Sequence, residues 1–214
     1  MAVLTSRLDS RSEAFIANRA AMEAHVADLE ATLAEARGGG GEKYVERHVQ
    51  RGKLLPRQRI ELLVDRDAPF LELSPTAAAG TGYVAGASLV TGVGVVSGVE
   101  CMILASDPTV RGGSVNPYGL AKMLRAYEIA LTNRLPLFFL VESGGADLKR
   151  QVDIFLPGGA MFRELTRLSA AGIPTISLVF GNSTAGGAYL PGMSDYVVMV
   201  KERAKVFLGG PPLV

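Results

Sequence analysis

Two glycine-rich turns are the strongest candidates for chemistry in this sequence. Ser143–Ala146 follows the apolar segment 137–141, and Thr184–Ala188 follows the apolar segment 175–180. Glycine turns sharply because it has no Cβ, and it leaves backbone N–H groups bare at a helix start, where the helix dipole also favours negative charge. Two such turns on neighbouring strands can hold one oxyanion. The same glycines would also permit close packing of strand against helix, so packing and catalysis are equally good interpretations at this point.

Side chains offer few other catalytic groups. Ser183 lies at a strand-to-helix turn, as the nucleophile of a serine hydrolase does, but both histidines, His25 and His48, lie in the helical N-terminal part of the chain. A capping or turn role for Ser183 is the stronger interpretation. No His, Cys, Asp or Glu cluster has metal-ligand spacing, and neither glycine turn continues as a phosphate-binding loop. We therefore predict no metal site.

Alternating strand and helix patterns must position the two turns. The sequence predicts a helix after Pro117, a second at 161–170 and a short third from about 185. The predicted strands are rich in apolar β-formers and lie at 70–73, 88–96, 100–105, 137–142, 175–180, 196–200 and 205–208. Strands that alternate with helices at this spacing predict a layered α/β fold with parallel pairing.

The first 66 residues are expected to form a separate helical segment. Apolar residues at helical spacing predict a long amphipathic helix over 5–37, whose stripe packs on the rest of the protein or on a neighbouring subunit, and Gly38–Gly41 is read as a flexible break. The stretch 43–59 carries six basic residues against one acid, Glu46. A solvated helix face and a phosphate-binding patch both fit this stretch.

Composition narrows the function classes. The formal net charge of +1 gives no general reason to expect nucleic acid or a membrane surface as partner. The longest apolar stretches are well below the roughly 20 residues that span a bilayer. The mixed charges of 5–18 do not resemble a signal peptide, so a cytoplasmic location is expected. The last residues stop just after a strand and a turn, which suggests a fragment of a longer protein.

Seven motifs occur in the order known from one enzyme family. They are Arg51-Gly52-Lys53-Leu54 with the helix to Leu63, Pro69–Ser74, Val96–Cys101, Asp107–Gly113, Ser143–Ala146, Thr184–Tyr189 and Phe207–Val214. In these motifs the chain resembles, from about residue 44 to its end, the carboxyltransferase (β) subunit of biotin-dependent acyl-CoA carboxylases, within the crotonase superfamily. Gly186–Asp195 and the Gly-Pro-Pro-Leu-Val ending are more similar to the methylcrotonyl-CoA carboxylase branch than to the propionyl-CoA branch.

The resemblance implies a crotonase-like spiral of ββα units. Residues 67–214 would be the acyl-CoA-binding N-domain, and a C-terminal biotin-binding domain would be absent, so that this piece alone would be inactive. The backbone N–H groups of Gly186 and Gly187, with Gly145 and Ala146 opposite, would hold the thioester oxygen as an enolate forms. The implied substrate-binding residues, which would contact the CoA phosphates, are Arg51, Lys53 and Arg111.

The implied cofactor is biotin, carried as carboxybiotin on a partner biotin carboxylase/biotin carrier α subunit, and the implied assembly is a β-subunit hexamer. Asp147–Lys149 and Pro157–Gly159 depart from the methylcrotonyl pattern, so the acyl group stays open, with another medium or branched acyl group as an alternative. Two other functions also stay open. One is a crotonase-type enoyl-CoA hydratase or isomerase, and the other is a non-catalytic assembly element.

Overall fold

Seven strands form one mixed sheet in a computed structural model of the chain, which describes residue 3, residues 5–6 and residues 8–209. The sheet order is β1-β2-β3-β4-β5-β6, with β7 also paired to β5. Pairing is antiparallel from β1 to β3 and parallel from β3 onwards. The strands are β1 Leu71–Leu73, β2 Leu89–Val96, β3 Val99–Ser106, β4 Leu137–Ser143, β5 Thr175–Thr184, β6 Tyr196–Met199 and β7 Lys205–Phe207.

The first three described helices precede the sheet, the others connect its strands, and helices cover both of its faces. The α-helices are α1 Glu13–Arg37, α2 Glu42–Gln50, α3 Pro56–Leu63, α4 Pro117–Asn133, α5 Gln151–Ala170 and α6 Tyr189–Met193. Short 3-10 helices lie at Arg111–Gly113, Leu148–Arg150 and Ala185–Ala188. Asn116 caps α4, where its side chain accepts the Gly119 N–H at 2.9 Å, and Pro117 is favourable in the first turn because it has no N–H to leave unpaired.

The side chains of β4 alternate between two cores. Phe139 and Val141 lie in the larger core with α4 and α5, whereas Leu140 packs with Ile60 of α3 and Ile103 on the other face. Because successive strand residues point to opposite faces, Glu142 belongs to the α3 face and Ser143 to the α4–α5 face. This division decides which side chains of β4 can reach the glycine turns.

The predicted α/β fold with parallel pairing is confirmed, but several bounds were wrong. Helix α5 begins at Gln151 and contains Pro157, whereas the sequence predicted a helix only from 161. Helix α1 begins at Glu13, because Ser12 caps it by accepting the Phe15 N–H. Strand β5 runs on to Thr184, four residues beyond the predicted end. The final Gly-Pro-Pro-Leu-Val motif lies outside the described residues.

Gly38–Gly41 ends α1 as predicted, but its interpretation as a flexible break was wrong. The Gly40 N–H donates to the Thr109 hydroxyl at 2.9 Å, and a Cβ on Gly40 would collide with the Thr109 carbonyl oxygen. The α1 stripe does not pack on the rest of the described chain, where Met22 and Leu29 lie at least half exposed, and its packing on a neighbouring subunit stays a prediction. In the described ranges, no helix is both long and apolar enough to cross a membrane.

Candidate active site

The two glycine turns leave adjacent parallel strands at the same edge of the sheet. Ser143 at the end of β4 pairs with Ser183 near the end of β5. A Cβ built on Gly145 would lie 3.1 Å from the carbonyl oxygen of Thr184, so the turns are in contact. Gly145 also has φ +93°, which side chains rarely adopt. The expected proximity of the two turns is therefore confirmed, and Gly145 is required at their junction.

Two backbone donors, one from each turn, remain unpaired at this junction. Val115 bonds to the residues on either side of Ala146, donating to the Gly145 carbonyl at 2.8 Å and accepting the Asp147 N–H at 2.9 Å, so the Ala146 N–H faces away from this pairing. Among the described residues, the N–H groups of Ala146 and Gly186 have no acceptor, whereas the N–H of Gly187 is directed to the Thr184 carbonyl by the i→i+3 pattern of the 3-10 helix Ala185–Ala188. The Gly145 N–H, in contrast, donates to the Ser143 hydroxyl at 3.2 Å.

Two serines hold the turns in shape. The Ser143 hydroxyl donates to the Gly113 carbonyl at 2.7 Å, which ties the first turn to the 3-10 helix Arg111–Gly113. The Ser183 hydroxyl donates to the Gly187 carbonyl at 2.9 Å, and Ser183 is fully buried. Ser183 therefore has the turn role that the sequence favoured over a nucleophile.

The turns border an apolar cavity of about 250 Å³ between α4, α5 and the sheet. Gly145, Ala146, Gly186 and Gly187 all line it. Its other lining residues carry apolar side chains, serine hydroxyls or no side chain, and none is titratable; the apolar ones are Ala87, Leu89, Val115, Leu120, Met123, Leu148, Ile154, Phe155, Met161, Phe162, Ala185 and Leu190. The site can thus bind an apolar chain and donate hydrogen bonds to one oxygen, but it offers no side-chain base.

The three predicted phosphate contacts lie apart from one another. Arg111 is beside the first turn, where it donates to the Asp147 carboxylate at 3.2 Å and lies 5.1 Å above the Tyr83 ring. Its side chain is half exposed. Lys53 is bonded to Glu142 on the α3 face of the sheet, away from the cavity, and Arg51 is exposed at the end of α2. The structure thus brings only Arg111 to the glycine turns.

Sequence reasoning missed a buried ionic cluster under the first turn. Glu142 binds both Lys53 and Arg59, and Arg59 also approaches His48 at 3.3 Å. Burial alone would raise the pKa of Glu142, but the ammonium and guanidinium outweigh it and hold the pKa below its usual value. Burial lowers the pKa of His48, because it disfavours the charged imidazolium. An acid at the end of an apolar strand was the only signal of this cluster. In the described part of the chain, no group of acidic, His or Cys side chains is arranged to hold a metal.

Comparison with known proteins identifies the family. The model of the carboxyl transferase domain matches residues 47–214. The chain belongs to the carboxyl transferase domain family. Among curated relatives of this family member, a probable biotin-dependent acyl-coenzyme A carboxylase beta2 subunit of Mycobacterium tuberculosis is 66% identical over 99% of the chain. A biotin-dependent 3-methylcrotonyl-coenzyme A carboxylase beta1 subunit of the same organism is 50% identical over 88% of the chain.

Solved structures confirm the crotonase-like carboxyl transferase fold. The beta subunit of geranyl-CoA carboxylase from P. aeruginosa superposes with a TM-score of 0.84, at 45% identity over 98% of this chain and 40% of that chain. Transcarboxylase 12S gives a TM-score of 0.80 at 30% identity, over 89% of this chain and 38% of that chain. The chain spans 40% of the length of the M. tuberculosis beta2 relative and 37% of the beta1 relative.

Proposed function

We propose that this chain forms the acyl-CoA-binding part of a carboxyltransferase, which transfers a carboxyl group from carboxybiotin to an acyl-CoA through a thioester enolate. Two unpaired N–H donors, of Ala146 and Gly186, beside an apolar cavity carry the proposal. A thioester oxygen gains negative charge when its enolate forms, and donors fixed in a dry site stabilise that charge by about 3 kcal/mol each. The names of the M. tuberculosis relatives support the same activity.

The chain's own residues would bind and orient the thioester rather than move its proton. The acyl chain would lie between α4 and α5, and its oxygen would accept from Ala146 and Gly186. Gly187 stays a weaker prediction, because its N–H is directed to the Thr184 carbonyl. No titratable side chain among the described residues lines the cavity, which favours a proton acceptor that arrives with the carboxyl donor. This lack also disfavours the hydratase or isomerase alternative, because water addition to an enoyl-CoA usually requires carboxylates near the acyl chain.

We infer a medium or branched acyl group. A cavity of about 250 Å³ with an apolar lining exceeds what a two- or three-carbon acyl group fills. The similar proteins named for geranyl-CoA and 3-methylcrotonyl-CoA carboxylation act on branched groups of this kind. Of the three candidate contacts to the CoA phosphates, Arg111 is best supported by its place beside the first turn, while Arg51 and Lys53 stay weaker predictions.

The proposal includes the partners implied by the resemblance. Biotin would supply the carboxyl group, carried as carboxybiotin on a biotin carboxylase/biotin carrier α subunit, and the two M. tuberculosis relatives, both named as biotin-dependent, support this assignment. The transcarboxylase relative is described as a hexamer assembly, which supports a homo-oligomer. A hexamer, the division into 1–66 and 67–214, and a cytoplasmic location stay predictions.

Replacement of Gly186 by valine tests the proposal. The full-length protein would be mixed with its biotin-carrying partner, and bicarbonate fixation onto a series of acyl-CoAs measured. Gly186→Val puts an isopropyl group at the N–H donors, where the nearest side-chain atom, Phe162 Cζ, lies 4.0 Å from the new Cβ, so folding should survive. We expect at least a hundredfold loss of kcat.

Gly192→Val is the matched control. It lies in α6, outside the cavity lining, and a Cβ there meets nothing within 4 Å. Its activity should equal that of the unaltered protein. Full activity of a folded Gly186→Val protein would count against a backbone oxyanion site in the second turn, and absence of carboxylation of every acyl-CoA tried would reject the proposed function.

A further inference from the structure

Glu142 occupies an unusual place between the helical segment and the glycine turns. It is the residue before Ser143, yet its carboxylate faces α3, where one oxygen accepts from Lys53 and the other from Arg59. The side chains of Glu142 and Arg59 are 7% and 1% exposed, so this pair is shielded from water. A carboxylate buried in this way must stay paired, because a lone buried charge is costly.

The pairing of β4 with β5 changes register at Glu142. Val141 pairs with Val179, but Ser143 pairs with Ser183, so β5 carries two more residues than β4 across this step. The Glu142 side chain fills the irregularity, since a Cβ on Gly181 would lie 2.7 Å from its carboxylate. The bulge lies immediately before both glycine turns, and it therefore sets how far each turn projects beyond the sheet.

Arg59 connects the bulge to α3 from the other side. Its Nε donates to the Leu54 carbonyl at 2.9 Å, and its guanidinium lies 4.4 Å above the ring of Phe180 in the bulged part of β5. Arg59 thus contacts β4 through a carboxylate and β5 through an aromatic face. Arg59 of α3 therefore links this helix to both β4 and β5.

We propose that Glu142, held by Arg59 and Lys53, is a positioning residue that sets the free N–H group of the first glycine turn, on Ala146, against that of the second, on Gly186. Glu142 acts through the backbone and touches no substrate. The inference rests on the proposed function, because it concerns donors that share one thioester oxygen. A misplacement of reacting groups by about 1 Å can cost a hundredfold in rate, so a small shift of the bulge should appear in catalysis.

Lys53→Met and Glu142→Asp test this role. Lys53→Met leaves the Arg59–Glu142 pair intact, and Glu142→Asp keeps the charge but shortens the side chain by one methylene, so both should fold. Glu72→Gln is the control: it breaks the Arg57–Glu72 ion pair, which joins the same helix α3 to β1, far from the turns.

Two measurements separate positioning from simple stability. The first is kcat and KM for the acyl-CoA, in the full-length protein with its biotin-carrying partner. The second is calorimetric affinity for the acyl-CoA and for the corresponding alkyl-CoA thioether, which has no carbonyl oxygen. In the kinetic assay, we expect kcat of both test variants to fall about ten- to hundredfold, with KM within about threefold of the unaltered value. In calorimetry, the affinity for the thioether should stay unchanged, so that the preference for thioester over thioether shrinks. Glu72→Gln should match the unaltered protein.

Other results would overturn the inference. Unchanged kcat in folded test variants would mean that the cluster does not position the turns. Equal loss of affinity for both ligands would assign Lys53 to the CoA phosphates, and lower thermal stability with unchanged kcat per folded site would assign the cluster to folding alone. If the unaltered protein carboxylates no acyl-CoA, the proposed function fails, and the thioester preference of the variants still decides whether Glu142 positions the donors.

Discussion

Lys122 carries a charge inside the protein that should make folding depend on pH. Its side chain in α4 is 5% exposed, and its Nζ donates to the carbonyl oxygens of Leu89 at 2.6 Å and Gly86 at 3.3 Å. Burial lowers the pKa of Lys122 from 10.5 to about 8, although the charge of Glu72 acts in the opposite direction. Two carbonyl dipoles therefore replace only part of the hydration that the ammonium loses.

The sign of the effect follows from proton binding. Below pH 8 Lys122 is protonated in both states, and burial of the ammonium costs the native state about 3 kcal/mol, the free energy that corresponds to a pKa of about 8 instead of 10.5. Between these pH values the unfolded chain holds a proton that the native chain lacks, so this residue's contribution to stability rises with pH. The full gain is reached only above pH 10.5.

Denaturant unfolding of the chain and its Lys122→Met variant, at intervals from pH 7 to 10, measures this effect. The free energy of unfolding of the unaltered chain, relative to the variant, should rise by roughly 2 kcal/mol over this range, most of it above pH 8. Taking the difference cancels the opposite trends from Tyr127 and Cys101, whose burial raises their pKa values and lowers stability at alkaline pH in both proteins. Arg125→Met, at an exposed site on the same helix, should show no slope. A flat difference for Lys122→Met would refute the reasoning.

Two further predictions concern glycines with opposite surroundings. Gly40→Ala forces a Cβ into the Thr109 carbonyl, so the free energy of unfolding measured by chemical denaturation should fall by about 3 kcal/mol. Gly192→Ala has open space around the new Cβ and should leave the free energy of unfolding unchanged. Equal stability of the two variants would contradict the close contact at Gly40. Gly158→Phe adds a side chain to the cavity lining, at a position where a Cβ meets nothing within 4 Å. In competition assays, kcat/KM for a ten-carbon acyl-CoA should therefore fall at least tenfold relative to that for a four-carbon acyl-CoA. An unchanged ratio would mean that the acyl chain binds elsewhere.

The existence and order of the sheet strands could be predicted, because their signals are local, although the end of β5 could not. Apolar β-formers before each glycine turn were sufficient to predict β4 and β5 and to place the turns at one edge. Helix α5 was shortened to 161–170, since Pro157 and the two glycines after it are helix-breaking by local rules. In the structure Ile154 and Met161, on either side of Pro157, are both buried in the larger core. That burial outweighs the local cost, and it depends on partners distant in the sequence.

The ionic cluster could not be predicted for the same reason. Lys53 and Arg59 lie 89 and 83 residues before Glu142, and nothing in the sequence pairs them. The basic stretch was therefore weighed only as a solvated face or a phosphate patch, whereas at least these two of its side chains serve a buried carboxylate. The count of charges identified 43–59 as a functional segment, but the role of Lys53 and Arg59 depends on the position of Glu142 at the bulge at the end of β4.

The placement of charge relative to the glycine turns has an electrostatic consequence. No carboxylate among the described residues lines the cavity to repel a negative oxygen, and Glu142 lies on the other face of the sheet, bonded to two cations. With His48 kept neutral by its lowered pKa, Lys53, Arg59 and Glu142 together carry one net positive charge beneath the first turn. Water screens this buried charge weakly, so its field favours negative charge at the N–H donors. The cluster that fixes the backbone geometry therefore also adds to the stabilisation of an enolate, and loss of Lys53 should weaken both.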